Sequence, residues 1–212
     1  MTYKTNLPRV SNIVSWVYPF DWEDKKRYKQ WLEKEDIIEE EYLWWANTLW
    51  TFVHKQMENH ILWKPIEIKN SMYEETKELI INWTKWLDDY WYDKIETELY
   101  LTDKIIQWTC DLLLFKWDKL ILGDFKTYWI VKSRYWKPNK CAVDKHKRIK
   151  VQLQMSIYAY LYEKKTGKKI TSLSLIFLHW EKTREYVLAP LEKEEIERII
   201  KEFLKNIIYI TF

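Results

Sequence analysis

The segment Cys110-Asp111-Leu112-Leu113-Leu114-Phe115-Lys116-Trp117-Asp118-Lys119-Leu120-Ile121-Leu122-Gly123-Asp124-Phe125-Lys126-Thr127 constrains this chain more than any other. Two apolar runs flank Trp117-Asp118, and a two-residue loop is the shortest connection between antiparallel strands. The turn sets the register: counting back from it, Lys116 faces Lys119 and Asp111 faces Asp124. Directly opposed residues hold their Cβ atoms about 4.5–5.5 Å apart. Lys126 lies two residues past Asp124 and projects from the same face. Two carboxylates side by side in an apolar hairpin repel each other and lose hydration. A hard divalent cation between them removes that conflict, and oxygen ligands suit magnesium or manganese.

Around the hairpin the texture changes twice. Residues 21–63 and about 72–90 read as helical, with charged stretches between apolar positions. Glu96 to Tyr100, Ile105 to Phe115 and Lys119 to Thr127 are short and strand-like. Residues 144–165 return to helical spacing, and Thr166-Gly167-Lys168 ends that helix at a glycine. Ile170 to Leu178 and Arg184 to Leu188 form a last strand pair, and Pro190 opens an acid-fronted helix. The expected class is α/β: a mixed central sheet flanked by helices, with an N-terminal helical arm. Residues 1–212 read as one domain, mainly helical over 1–92 with an αβ core over 93–212.

Hydrophobic residues make up 47% of the chain and charged residues 32%, enough to bury a core and too apolar for disorder. Two cysteines, Cys110 and Cys141, exclude a disulfide scaffold and a four-thiolate cluster built by this chain alone. Cys110, next to Asp111, should face the opposite side of its strand and be buried. No apolar run approaches a membrane span and the first residues lack the apolar core of a signal peptide, so a cytoplasmic protein with no membrane partner is expected.

The chain has 2 glycines and 15 tryptophans, where a usual share would give roughly 15 glycines. Several tryptophans sit where the chain should turn, in Lys116-Trp117-Asp118, Tyr135-Trp136-Lys137-Pro138 and His179-Trp180-Glu181. A tryptophan gains nothing at a polar turn tip, whereas glycine supplies positive φ without steric cost. With glycine at 117, Gly-Asp would signal a type II′ turn. The expectation is that some tryptophans stand where the gene specifies glycine. A UGA codon read as glycine in one genetic code yields tryptophan in another.

The net charge of +3 is modest, but its distribution is not. Lys132, Arg134, Lys137, Lys140, Lys145, Lys147, Arg148 and Lys150 stand against Asp144 alone. Such a basic stretch beside an acidic site suits contact with a phosphate backbone.

At this point the residues resemble a known superfamily, the PD-(D/E)xK nucleases, and within it the RecB/AddB-type group that includes phage exonucleases. Asp111 … Asp124-Phe125-Lys126 looks like its core motif. Gln154-Met155-Ser156-Ile157-Tyr158 looks like its Q-x-x-x-Y helix. Thr51-Phe52-Val53-His54-Lys55-Gln56-Met57-Glu58 resembles its motif G-T-x-x-H-x-x-x-E. The motifs fall in the family's order across residues 50–158. Two departures stand out: Trp50 occupies the glycine before Thr51, and Trp108 occupies the glycine of G-x-x-D. Both are glycine-to-tryptophan changes, as the composition leads one to expect.

The resemblance implies a restriction-endonuclease-like core and a metal-dependent DNA nuclease, most plausibly an exonuclease in recombination, repair or phage DNA processing. A structure-tolerant endonuclease and a catalytically silent DNA-binding subunit are the alternatives. It implies that His54, Asp111, Asp124 and the Phe125 carbonyl hold one or two Mg2+ or Mn2+ ions, while Lys126 assists the attacking water. Gln154 and Tyr158 would steer DNA or shape the site. Lys132, Arg134, Lys147 and Arg148 would follow the DNA backbone, with linear ends or single strands favoured; Tyr128 and Tyr135 offer faces for stacking bases. Glu98, slightly preferred over Glu96, is the candidate for an extra acid. With two cysteines, the iron–sulfur cluster of some relatives is not expected. A bacterial or phage origin, a homo-oligomer and a helicase or recombinase partner belong to the same set of expectations.

Overall fold

The computed structural model describes residues 7–19, 22–34, 36–66, 74–90, 92–103, 106–127, 145–178 and 182–210 of the 212. Their order is α1 (Val10–Val17), α2 (Trp22–Lys34), α3 (Glu39–Ile61), α4 (Glu74–Asp89), β1 (Lys94–Thr102), β2 (Gln107–Lys116), β3 (Lys119–Thr127), α5 (Lys145–Thr166), β4 (Ser172–Leu178), β5 (Arg184–Leu188) and α6 (Lys193–Ile210). The five strands form one sheet in the order β1-β2-β3-β4-β5. β2 pairs antiparallel with β1 and with β3, β3 and β4 are parallel with α5 as the crossover, and β5 returns antiparallel. This is an α/β protein with a mixed sheet.

Each face of the sheet carries its own apolar layer. On one, Ile13 of α1, Leu153, Ile157 and Leu161 of α5, and Ile196 and Phe203 of α6 pack with Leu101, Leu113 and Leu122. On the other, Val53 and Met57 of α3 and Leu79 and Trp83 of α4 pack with Leu112, Leu114, Phe125 and Ile176. Each such buried side chain contributes about 1.5–3 kcal/mol relative to exposure. Of the helices expected as an N-terminal arm, α1 lies on one side of the sheet and α3 with α4 on the other.

The hairpin keeps the register counted from its turn as far as Leu112↔Gly123, and the expected Asp111↔Asp124 pair is not part of the ladder. Lys116 pairs with Lys119 and the ladder continues to Leu112↔Gly123. Gly123 is needed there, because a Cβ would lie 2.9 Å from Leu112 Cδ2. At the tip, Trp117 takes φ 54° and its N–H donates to Asp93 Oδ2 at 2.5 Å. Gly167 ends α5 at φ 72°, its N–H bonded to the Glu163 carbonyl.

Three boundaries differ from the sequence reading. α1 is an additional helix, short and tied by the Gln107 N–H to Pro8 and by Arg9 bridging Gln107. The 21–63 segment is two helices, parted where Asp36 takes φ 52°. α6 starts at Lys193 rather than Pro190, after the Leu191 N–H is held by Ser156 Oγ.

Alternation breaks in one place. Cys110 and Leu113 belong to the α5 side, whereas Leu112 and Leu114 belong to the α3/α4 side. A strand with strict period two cannot put positions 110 and 113 on one face. β1 makes the same change: Ile95 packs with the α3/α4 layer, Leu99 and Leu101 with the other. Between these points the ladder steps from Thr97↔Leu112 to Leu99↔Cys110, leaving Glu98 opposite Asp111, with Glu98 at φ 51°.

Candidate metal centre

Asp111 sits where the strand rotates. Past Leu112↔Gly123, its carboxylate Oδ2 accepts the Phe125 N–H at 3.1 Å. Asp124, on the adjacent strand, is 2% exposed, and its Oδ2 lies 2.5 Å from Lys126 Nζ. Gln154 Nε2 of α5 donates to Asp124 Oδ1 at 3.3 Å and to the Tyr158 hydroxyl at 2.5 Å. The two residues of the Q-x-x-x-Y stretch, one turn apart on the helix, thus meet at the second aspartate.

His54 comes from α3 on the other side. It is 8% exposed, edge-on to the Phe125 ring at 5.8 Å and against Trp50 at 4.1 Å between centroids. Its Nε2 is buried and has no hydrogen-bond partner among the described residues. Ligand atoms of His54, Glu98 and Asp111 all lie within 4.8 Å of one another.

Electrostatics set these groups against one another. Burial pushes His54 down to about 4, with Asp124 pulling up and Lys126 pushing down, so the imidazole is neutral near pH 7 and keeps a lone pair. Burial raises Asp124 to about 6 against the opposing pull of Lys126. Burial also raises Asp111, opposed by Lys126 and the Phe125 N–H. Partial burial, then Asp111 and Glu58, raise Glu98 to about 7. Burial works against the charge on Lys126, yet Asp124 and Asp111 outweigh it and the ammonium is held. Three crowded carboxylates with one lysine and one neutral imidazole are short of positive charge. The donor set fits a divalent cation bound by oxygens and one nitrogen.

Glu96 and Glu98 are now distinguishable. Glu96 is paired with Lys94 at 2.5 Å, while Glu98 enters the cluster. Alternation alone gave no means of telling them apart, because the strand rotates between the α3/α4 side and the α5 side at this point. Glu58 is held by Lys55 at 2.6 Å and stands outside the three-residue group. Phe125 meets Asp111 through its N–H. Cys110 is fully buried in the α5-side core.

Trp108 stacks on Tyr158, centroids 5.4 Å apart and planes 18° from parallel. Trp50 is 43% exposed. Neither is at positive φ. Arg148 is exposed, its guanidinium 5.9 Å from the Tyr186 ring. Lys147 lies in α5, its side chain outside the described residues. Lys132, Arg134, Tyr128, Tyr135, Trp136, Cys141 and Trp180 lie outside the described residues, and with them most of the basic stretch.

No family model matches this chain, and no curated protein matches it. A solved structure described as the crystal structure of SSO0001 is similar at TM-score 0.38 and 17% identity, over 73% of this chain and 84% of that one. A likeness that loose leaves function to be read from the site. No helix among the described residues is long and apolar enough to cross a membrane.

Proposed function

We propose that this chain is a metal-dependent nuclease that hydrolyses DNA phosphodiester bonds as an exonuclease. The observation that supports it most is the meeting of Asp111, Asp124, Lys126 and an unpartnered, neutral His54 at one rotated point of the sheet. His54, Asp111, Asp124 and the Phe125 carbonyl would hold Mg2+ or Mn2+. Such an ion, when bound, polarises a phosphate and lowers the pKa of a coordinated water.

The chain's own residues do the rest. Lys126, kept charged by Asp124 and Asp111, orients the attacking water and offsets negative charge developing on the phosphate. Gln154 fixes one oxygen of Asp124, so that the other stays toward Lys126. Tyr158, stacked under Trp108, braces Gln154 in turn. His54, Asp124 and Tyr158 are buried, which strengthens the charge interactions they make, while Lys126 and Glu98 stay open to solvent.

The test is hydrolysis of end-labelled linear and closed circular DNA with Mg2+ or Mn2+. Loss of linear DNA alone, abolished by a chelator, is the expected result. Nicked circles would make the chain an endonuclease. Binding without cleavage under either ion would make it a silent DNA-binding subunit and overturn the proposal.

A further inference from the structure

We propose that Glu98 is a metal ligand held in place by the left-handed residue in β1, so that His54, Glu98 and Asp111 bind a divalent ion as a set beside Asp124. This rests on the metal-dependent reading above. Four non-glycine residues take positive φ among those described: Asp36, Trp63, Glu98 and Trp117. Asp36, Trp63 and Trp117 lie in turns, where the chain must reverse. Glu98 alone lies within a strand, and its neighbours Thr97 and Leu99 both keep their ladder partners. No extra residue is inserted on either strand between those pairs, so the distortion is not a bulge absorbing one.

A strained backbone residue persists only where its surroundings over-determine it, and such residues gather at functional sites. Here the strain leaves Glu98 facing Asp111 and brings its carboxylate within 4.8 Å of ligand atoms on Asp111 and His54. His54 supplies the independent sign of a ligand. It is more than nine-tenths buried, it brings a ring nitrogen into that group, and its Nε2 has no partner among the described residues. One imidazole and two carboxylates suit Mn2+ better than Mg2+, since imidazole is a poor ligand for the harder ion.

Mn2+ binding to the full chain, followed by calorimetry, tests the assignment together with the metal-free thermal midpoint. Glu98→Gln should weaken Mn2+ at least ten-fold. Glu98→Gly should weaken it similarly yet raise the metal-free midpoint, because glycine accepts this φ without strain. Unchanged affinity in both variants, with affinity lost in Asp111→Asn, would overturn the role of Glu98 and leave the metal-dependent reading standing. No Mn2+ binding by the unmodified chain would overturn both.

A separate observation carries a second inference: we infer that Trp63 and Trp117 stand where the gene specifies glycine. Trp63 follows α3 at φ 56° and is 95% exposed. Its N–H bonds the His60 carbonyl and the Lys64 N–H bonds the Asn59 carbonyl. That pair of bonds is a Schellman motif with Trp63 at the position glycine normally fills. Trp117 opens a two-residue hairpin turn at φ 54° and is 79% exposed, again a position dominated by glycine. Both rings gain little burial, although Lys116 Nζ lies 5.9 Å from that of Trp117. Exchanging the totals of 15 tryptophans and 2 glycines would make the glycine share ordinary.

The gene's codons and the mass of the protein from its own host decide the matter. UGA at both positions, with host peptides carrying glycine there, is expected. UGG at either position, or tryptophan in the host peptides, would overturn the inference.

Discussion

Glu98 and Trp117 hold nearly the same backbone angle, φ 51° and 54°, for opposite reasons. Trp117 is at the hairpin tip, where reversing the chain in two residues demands positive φ whatever the side chain. The fold needs the conformation and gains little from the indole. Glu98 lies in mid-strand, where the chain does not reverse; its positive φ falls where the two apolar layers exchange faces and leaves the carboxylate opposite Asp111. Strain at the tip therefore marks a residue that fits poorly, whereas strain in β1 marks one held for its chemistry. Gly123 adds the complementary case, a glycine required by close approach rather than by φ.

The largest effects should fall at the strained strand. Asp111→Asn and Lys126→Ala should each lower turnover on linear DNA by roughly 10²–10³-fold, the scale of removing a charge-stabilising group. They should differ in binding. Asp111→Asn should lose Mn2+, while Lys126→Ala should keep both metal and DNA, because its role lies in the transition state. Normal turnover in both would misplace the site and erase the functional half of the contrast.

Next in size is Gly123→Ala, expected to destabilise by about 1–3 kcal/mol as an overpacked core position. Chemical denaturation with an unchanged m-value would measure it. A neutral outcome would mean that Leu112 yields and the approach is not close in solution.

Trp117→Gly should go the other way. Removing the left-handed penalty of about 1–2 kcal/mol, less glycine's greater unfolded-state freedom, should leave a gain of about 1 kcal/mol. A loss of stability of similar size would show that the Lys116 contact matters more than the backbone, and the contrast with Glu98 would collapse.

The smallest effect is a pH slope in the metal-free protein. The Glu98 carboxyl rises from 4.5 to about 7 on folding. Between those values the folded chain holds a proton that the unfolded chain has lost, so stability falls as pH rises. His54, lowered to about 4, acts in the opposite sense below pH 6.5. Glu98→Gln should therefore gain on the unmodified chain progressively from pH 4.5 to 7, with a constant difference above. Because Glu98 is solvent-reachable, the gain should be slight. Thermal midpoints across that range that never diverge would remove the electrostatic cost assigned to this carboxylate.

Much of the fold was legible because it rests on periodicity. The strand–turn–strand pattern around Trp117-Asp118 predicted the hairpin register down to Leu112↔Gly123, and Gly167 ends α5 as its sequence suggests. The α1 helix was not legible: eight residues, started by Asn12 Oδ1 accepting the Arg9 N–H, become helical through Val10, Ile13 and Val14 packing on the core. Nor was the choice between Glu96 and Glu98. Two acids two positions apart share a face in an ideal strand, and only the rotation at Glu98 separates them.

By itself the sequence determined the local, repeating features: an α/β element order, a two-residue hairpin, and the hairpin register as far as Leu112↔Gly123. These follow from neighbours along the chain and the fixed pleat of a strand. What only the tertiary structure decided was which groups meet from elements far apart in sequence. His54 arrives from α3 because Val53 and Met57 bury on the sheet, and Gln154 arrives from α5 because Leu153 and Ile157 bury on its other face. The twist that turns Glu98 toward Asp111 belongs to neither strand alone. It arises where the two apolar layers exchange register across the sheet, and no period in a single strand records it.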